Sequence, residues 1–177
     1  CEKGGLGLGM RHCCNSAAIV NFPEMHLDAV RAGILLYGLS PNPGVTDAAG
    51  LLPCMTLKAN VVQLSHIRKG DTVSYGAAFV SDRDMTVATL SVGYADGLFR
   101  ALSGKADVVI RGKKAKMVGK ICMDMCMADV SDIDCEVGDE AVIFGDGQSA
   151  DRLAELAGTI NYEILCSVRN RVSRRYI

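Results

Sequence analysis

Between Met55 and Gly145 the chain repeats one theme, short runs rich in Val, Ile and Thr cut by Gly and Asp. The runs MTLKANVVQL, DTVSYGAAF, MTVATLSVGY, ADVVIRGKKAKMVG and EAVIFG read as strands, and Gly112 inside the fourth marks a hairpin turn. Short strands at this spacing predict a small β-barrel or sandwich.

The pattern differs on either side of that block. Cys14 to Val20 form a small-and-apolar run, and Asn21, Pro23 and Glu24 supply helix-start chemistry for MHLDAVRAG, which Gly33 ends. ILLYGL follows as the continuous apolar run of a strand buried on both faces. Strand, helix and strand in that order predict one βαβ unit. Pro, Asn, Gly and Asp dominate from Ser40 to Leu52, which places a domain boundary near Thr46 and divides the chain into residues 1–45 and 46–177. Near the end, Ser149 is a candidate N-cap for DRLAELAG, and Ile160, Ile164 and Val168 continue at helical spacing. The fold class expected is mainly β, with two short helices after the strands and the βαβ piece before them.

Composition narrows the function. A chain of 177 residues holds one domain, or one plus the end of another. Trp is absent and aromatics are few, so the core falls to Val, Ile, Leu, Ala and Met. With 19 basic against 20 acidic residues, mixed along the chain, there is no electrostatic footprint for nucleic acid. The basic run Arg169 to Arg175 reads as a solvated helix end rather than a phosphate patch. The 8 Cys lie mostly in apolar runs and form no CxxC pair, and Cys122 with Cys126 lacks a second pair of ligands. Buried free thiols in a reducing cytoplasm are expected, without zinc. No run reaches the ~20 apolar residues of a membrane span, and no signal peptide is visible. The first residue is Cys rather than Met, so a processed product or a piece of a longer protein is expected.

Five segments carry candidate chemistry. In VGYADG, Tyr94 ends an apolar strand ahead of a turn, where it reads either as an amphipathic residue at the core edge or as an acid/base group. In HCCNSAAI, Ser16 reads as a core hydroxyl. Arg31 of VRAGI, fifteen residues on, reads as a helix-end cation. Met123 of GKICMDM reads as core, and Tyr162 lies in INYEILC.

In this order and spacing, from about His12 to Arg175, the five segments resemble alanine racemase, a pyridoxal phosphate (PLP) enzyme that interconverts L- and D-alanine. The resemblance implies that residues 1–45 are a remnant of a TIM-type (β/α)8 barrel and that residues 46–177 are the family's C-terminal β domain. It implies a bacterial, cytoplasmic homodimer supplying D-alanine for the cell wall, with the β domain of one chain reaching the partner's PLP. Tyr94 would be the general base for L-alanine, and a Schiff-base lysine would serve D-alanine from the opposite face. No lysine here has that lysine's surroundings, so this chain alone is expected to be inactive. Ser16, Gly33, Ile34 and Tyr162 would bind the PLP phosphate, Arg31 would face the pyridine nitrogen, and the Met123 N–H would bind the substrate carboxylate. Arg31 would leave that nitrogen unprotonated, because a guanidinium hardly yields its proton. By the same resemblance, Tyr162 would favour alanine over serine. Lys120 departs from the Arg of many relatives, a point charge in place of a fork. Two alternatives stand beside this reading: a non-catalytic dimerisation module, and a PLP racemase or decarboxylase of other specificity.

Overall fold

The computed structural model describes residues 4–5, 7, 9–41 and 50–177. It divides into two compact units, Cys1–Cys54 and Met55–Ile177. The boundary expected near Thr46 lies outside the described residues.

In the second unit, β1 (Leu57–Ile67), β4 (Met85–Leu90), β7 (Cys126–Asp129), β6 (Lys113–Val118), β5 (Asp107–Ile110) and β8 (Glu140–Phe144) close into a barrel in that order. Every neighbouring pair is antiparallel, and β8 returns to β1. Closure leaves none of these six with an unpaired edge. The period of two expected from the sequence fills the interior: Leu57, Ala59 and Val61 of β1 alternate with exposed Lys58 and Asn60. Val108, Ile110, Ala115, Met117, Ala141 and Ile143 continue the same layer with small and branched residues. Register shifts in β1 between Leu57 and Lys58 and between Val61 and Gln63 let one long strand pair with β8 at one end and β4 at the other.

β5 and β6 form the hairpin expected at Gly112. Ile110 pairs with Lys113, leaving a two-residue loop in which Arg111 (φ 48°) and Gly112 (φ 75°) are both left-handed. That is the primed turn whose twist matches the strands it joins. Ser149 caps α2 (Ala150–Ala157) by accepting from the Asp151 N–H, and Gly158 in the left-handed region ends it. α3 (Asn161–Ser167) follows directly.

Two strand assignments change. DTVSYGAAF is not one strand but β2 (Thr72–Val73) and β3 (Phe79–Val80), paired with each other around a turn. Val73 and Phe79, with Ile67, pack on a second apolar cluster of Met85, Val87, Val118 and Met127. Cys126–Asp129, absent from the runs expected to be strands, is the strand β7.

In the first unit the elements fall elsewhere than the sequence suggested: among its described residues they are one α-helix and short 3₁₀ turns. α1 is Ser16–Asn21, inside the run expected to be a strand, because the Asn15 side chain accepts from the Ala18 N–H and caps it. Pro23 turns the preceding Phe22 out of helical geometry (φ −136°, ψ 65°) and stops it. MHLDAVRAG, expected to be a helix, has a left-handed Leu27 in a turn with Asp28 and no regular element from Ala29 to Ala32. Its Asp28 and Ala29 N–H groups donate to the Arg11 carbonyl, and its Arg31 N–H donates to that of Cys14, so 11–14 and 28–31 run parallel. Arg11 also grips the Asp28 carboxylate at 2.8 Å, holding it down at about 2. ILLYGL is not a strand but a 3₁₀ turn, Ile34–Tyr37, closed by Gly38. A Cβ at Gly38 would lie 1.7 Å from the Leu52 carbonyl, so only Gly fits. Among the described residues, no helix is long and apolar enough to cross a membrane.

Candidate functional site

The loop 119–125, between β6 and β7, is held from two sides. On one side is the β2–β3 turn, where Ser74 (φ 74°), Gly76 (φ 67°) and Ala77 (φ 49°) all have positive φ. For Ser74 and Ala77 that geometry costs roughly 1–3 kcal/mol each, strain of the kind that collects at functional sites. It is fixed by the Ser74 hydroxyl donating to the Lys120 carbonyl at 3.1 Å, and by Gly119, where a Cβ would meet Ser74 at 2.7 Å. The turn presents Tyr75 at 78 % exposure. Lys120 is itself exposed, and the bond uses only its backbone.

On the other side is the 3₁₀ turn Tyr94–Asp96. The Tyr94 N–H donates to the Cys122 carbonyl (2.9 Å) and the Ala95 N–H to that of Met123 (3.0 Å). Gly93 makes this possible, since a Cβ there would sit 2.3 Å from the Met123 oxygen. The Asp96 carboxylate accepts the Gly93 N–H at 2.9 Å and a bond from Arg171 Nε at 2.8 Å, while Arg171 Nη2 reaches the Asp124 carboxylate.

Met123 (53 % exposed) and Tyr75 line one groove of about 520 Å³ on the barrel wall, together with Cys122, Asp124, Met125 and Val87. Tyr94 (45 % exposed) joins the same loop through its backbone bond to Cys122 but opens into a different cleft, with Phe99, Arg100 and Arg169. Tyr162 of α3 lies in a third, shallow cleft with Thr159, Glu163 and Cys166. Sequence reasoning passed over Tyr75 because its run reads as strand; Gly76 within that run was the available signal.

In the first unit, the Ser16 hydroxyl accepts from the Gly33 N–H at 2.9 Å, which leaves the hydroxyl proton to donate elsewhere. Ser16 is buried and Ile34 beside Gly33 is 4 % exposed. A Cβ on Gly33 would stand 3.5 Å from the Ser16 oxygen. Arg31 Nη1 bonds His12 Nδ1 at 2.9 Å, so the exposed guanidinium is oriented by a ring rather than by a carboxylate.

The thiols depart from expectation. Among the described residues only Cys14 and Cys126 are buried cysteines, whereas Cys13, Cys54 and Cys166 are exposed. None of these three lies in a barrel strand: Cys13 and Cys54 are in irregular segments and Cys166 is in α3. Among the described residues, no group of three or more His, Cys, Asp or Glu could hold a metal ion.

Residues 54–176 match the family "Alanine racemase, C-terminal domain" and residues 1–41 match "Alanine racemase, N-terminal domain". The alanine racemase of Desulfovibrio desulfuricans is 48 % identical over 178 residues, covering 99 % of this chain and 48 % of that protein. Alanine racemase 1 of Clostridium acetobutylicum is 48 % identical over 182 residues, covering 99 % of this chain and 47 % of its own length. The solved alanine racemase from Streptomyces coelicolor A3(2) superposes with a TM-score of 0.94 at 38 % identity, over 99 % of this chain and 48 % of that one. That of Clostridium difficile 630 in complex with cycloserine gives 0.92 at 41 % identity, over 97 % of this chain and 46 % of that one. The chain spans about half the length of the curated relatives it matches. Two family matches across nearly its whole length, and a backbone shared with these solved structures, place this chain in the alanine racemase family.

Proposed function

We propose that the complete protein interconverts L- and D-alanine with PLP, as a homodimer in the bacterial cytoplasm supplying D-alanine for cell-wall synthesis. Residues 1–45 are the end of its PLP-binding barrel domain and residues 46–177 its C-terminal β domain. The observation that carries this reading is the groove in which an exposed phenol, Tyr75, and the loop residue Met123 meet.

The residues of the first unit suit PLP. Ser16 offers a hydroxyl proton and Gly33 a backbone without a side chain in the way, which fits a phosphate ester; Ile34 follows on the same backbone. Arg31, steered by His12, offers a permanent cation to a ring nitrogen. Tyr162 is assigned to the phosphate end of the pocket. When bound, PLP supplies an electron sink that acidifies the α-hydrogen of an amino acid.

Inversion needs a proton acceptor on one face of the α-carbon and a donor on the other. The family resemblance gives the acceptor role for L-alanine to Tyr94. The geometry favours Tyr75 instead: it is the phenol that shares the groove with Met123, on a backbone strained to present it. Tyr94 then orders the Met123 loop and narrows access, and the Met123 N–H binds the substrate carboxylate. No lysine of this chain is assigned to the second face, so the chain alone is inactive.

The test is alanine racemisation by the complete protein with PLP, comparing Tyr75→Phe with Tyr94→Phe. Loss of the acid/base group lowers kcat by about 10²–10⁴. The loss is expected for Tyr75→Phe, with Tyr94→Phe changing mainly KM. The reverse pattern would return the role to Tyr94. A complete protein that does not racemise alanine would leave the groove an assembly surface.

A further inference from the structure

The loop carrying Met123 and the turn carrying Tyr94 share more than backbone bonds. Asp96 sits at the centre, its side chain only 13 % exposed. One carboxylate oxygen holds the Gly93 N–H and the other accepts from Arg171 Nε, so its charge faces two donors in fixed directions. The second arm of the same guanidinium continues to Asp124, the residue after Met123. The tail bearing Arg171 is anchored separately. The Ser167 hydroxyl donates to the Gly97 carbonyl at 2.8 Å, and Gly97 packs so closely that a Cβ would lie 2.7 Å from Ser167. Arg174 Nη2 also donates to the Val168 carbonyl. Arg171 therefore projects onto two segments that the Tyr94–Cys122 and Ala95–Met123 backbone bonds already join, and clamps their carboxylates across that joint.

We propose that Arg171 is a positioning residue of this site: by bridging Asp96 and Asp124 it holds the Tyr94 turn and the Met123 loop in the arrangement their backbone bonds define. The inference rests on the reading that the Met123 N–H receives the substrate carboxylate. A planar fork is needed, because its nitrogens reach two carboxylates at once where a lysine ammonium is a single point. Arg171 touches neither substrate nor cofactor in this account. It acts through Met123, so its loss falls on substrate binding before it falls on the chemical step.

The experiment uses the complete protein with PLP and the variants Arg171→Met, Arg171→Lys and Asp124→Asn, with Arg152→Met as a control at the exposed pair with Glu155. Arg171→Met is expected to raise KM for alanine about tenfold with kcat within about threefold. Arg171→Lys should fall between it and the parent. Arg171→Met combined with Asp124→Asn should add little to either alone, as for two groups of one bridge. Amide hydrogen exchange gives a readout independent of turnover: 93–97 and 119–125 should exchange about tenfold faster in Arg171→Met, with β5 and β8 unchanged. Exchange in 119–125 equal to the parent's would overturn the proposal, as would a KM within twofold. Should Arg171→Met not fold, Arg171→Lys carries both measurements. Should the parent protein not racemise alanine, the functional reading falls and exchange alone decides the role of Arg171.

Discussion

Tyr94 and Tyr75 stand nineteen positions apart, and their backbones and the clefts they line tell them apart. Tyr94 was legible because VGYADG ends a clear apolar strand and matches a family motif. Tyr75 was hidden because Ser, Tyr and Ala all suit a strand, and no local rule announces three positive φ values within four residues. The same limit applies to the thiols, since composition cannot say which wall of a strand a Cys faces. Cys126 faces inward, and burial, with the Cys122 charge as a smaller contribution, pushes its thiol from 9.0 up to about 12. Unfolding restores the ordinary value, so above pH 9.0 the unfolded chain releases a proton that the fold retains until about 12. The contribution to stability is therefore whole below pH 9.0 and lost as pH rises toward 12. Thermal melts of the complete protein should show this decline, and Cys126→Ala should lack it. At pH 8 the exposed Cys166 should alkylate while Cys126 does not.

Elements whose signals are local came through the sequence intact, and those that depend on pairing did not. Ser149 with its amphipathic helix needs only its own side chains, and Gly112 needs only its own φ. In the first unit, the helix expected over 25–33 does not form, and its Asp28, Ala29 and Arg31 N–H groups donate instead to the carbonyls of Arg11 and Cys14, far off in sequence. β7 escaped because Cys and Met are weak strand signals, although pairing with β4 and β6 makes it part of the barrel wall. The β5–β6 hairpin gives a direct test. A Cβ at Gly112 meets nothing within 4 Å, so Gly112→Ala isolates the cost of the left-handed backbone at φ 75°. That cost is about 1–2 kcal/mol. Denaturant melts should show a shift of that size in midpoint with an unchanged m-value, because the barrel still closes.

At the scale of the whole molecule, the site residues fall on two units. Ser16, Arg31, Gly33 and Ile34 belong to the first, and Tyr75, Tyr94, Met123 and Tyr162 to the second. The proposed homodimer lets the second unit of one chain serve the first unit of its partner, and that arrangement has a consequence no single-chain site shares. Arg31→Glu would damage the cofactor half of every site and Tyr75→Phe the phenol half, so each variant alone should be inactive. Co-expressed in equal amounts, the two variants form mixed dimers about half the time, and each mixed dimer holds one site with both defects and one with neither, so about a quarter of the parent activity returns. Sites built within one chain would carry one defect each in every dimer and recover nothing. The measurement is alanine racemisation by the co-expressed pair against an equal mixture of the separately purified variants at the same total protein. Recovery only on co-expression supports subunits that share their sites; no recovery, with mixed dimers present, assigns both halves to a single chain.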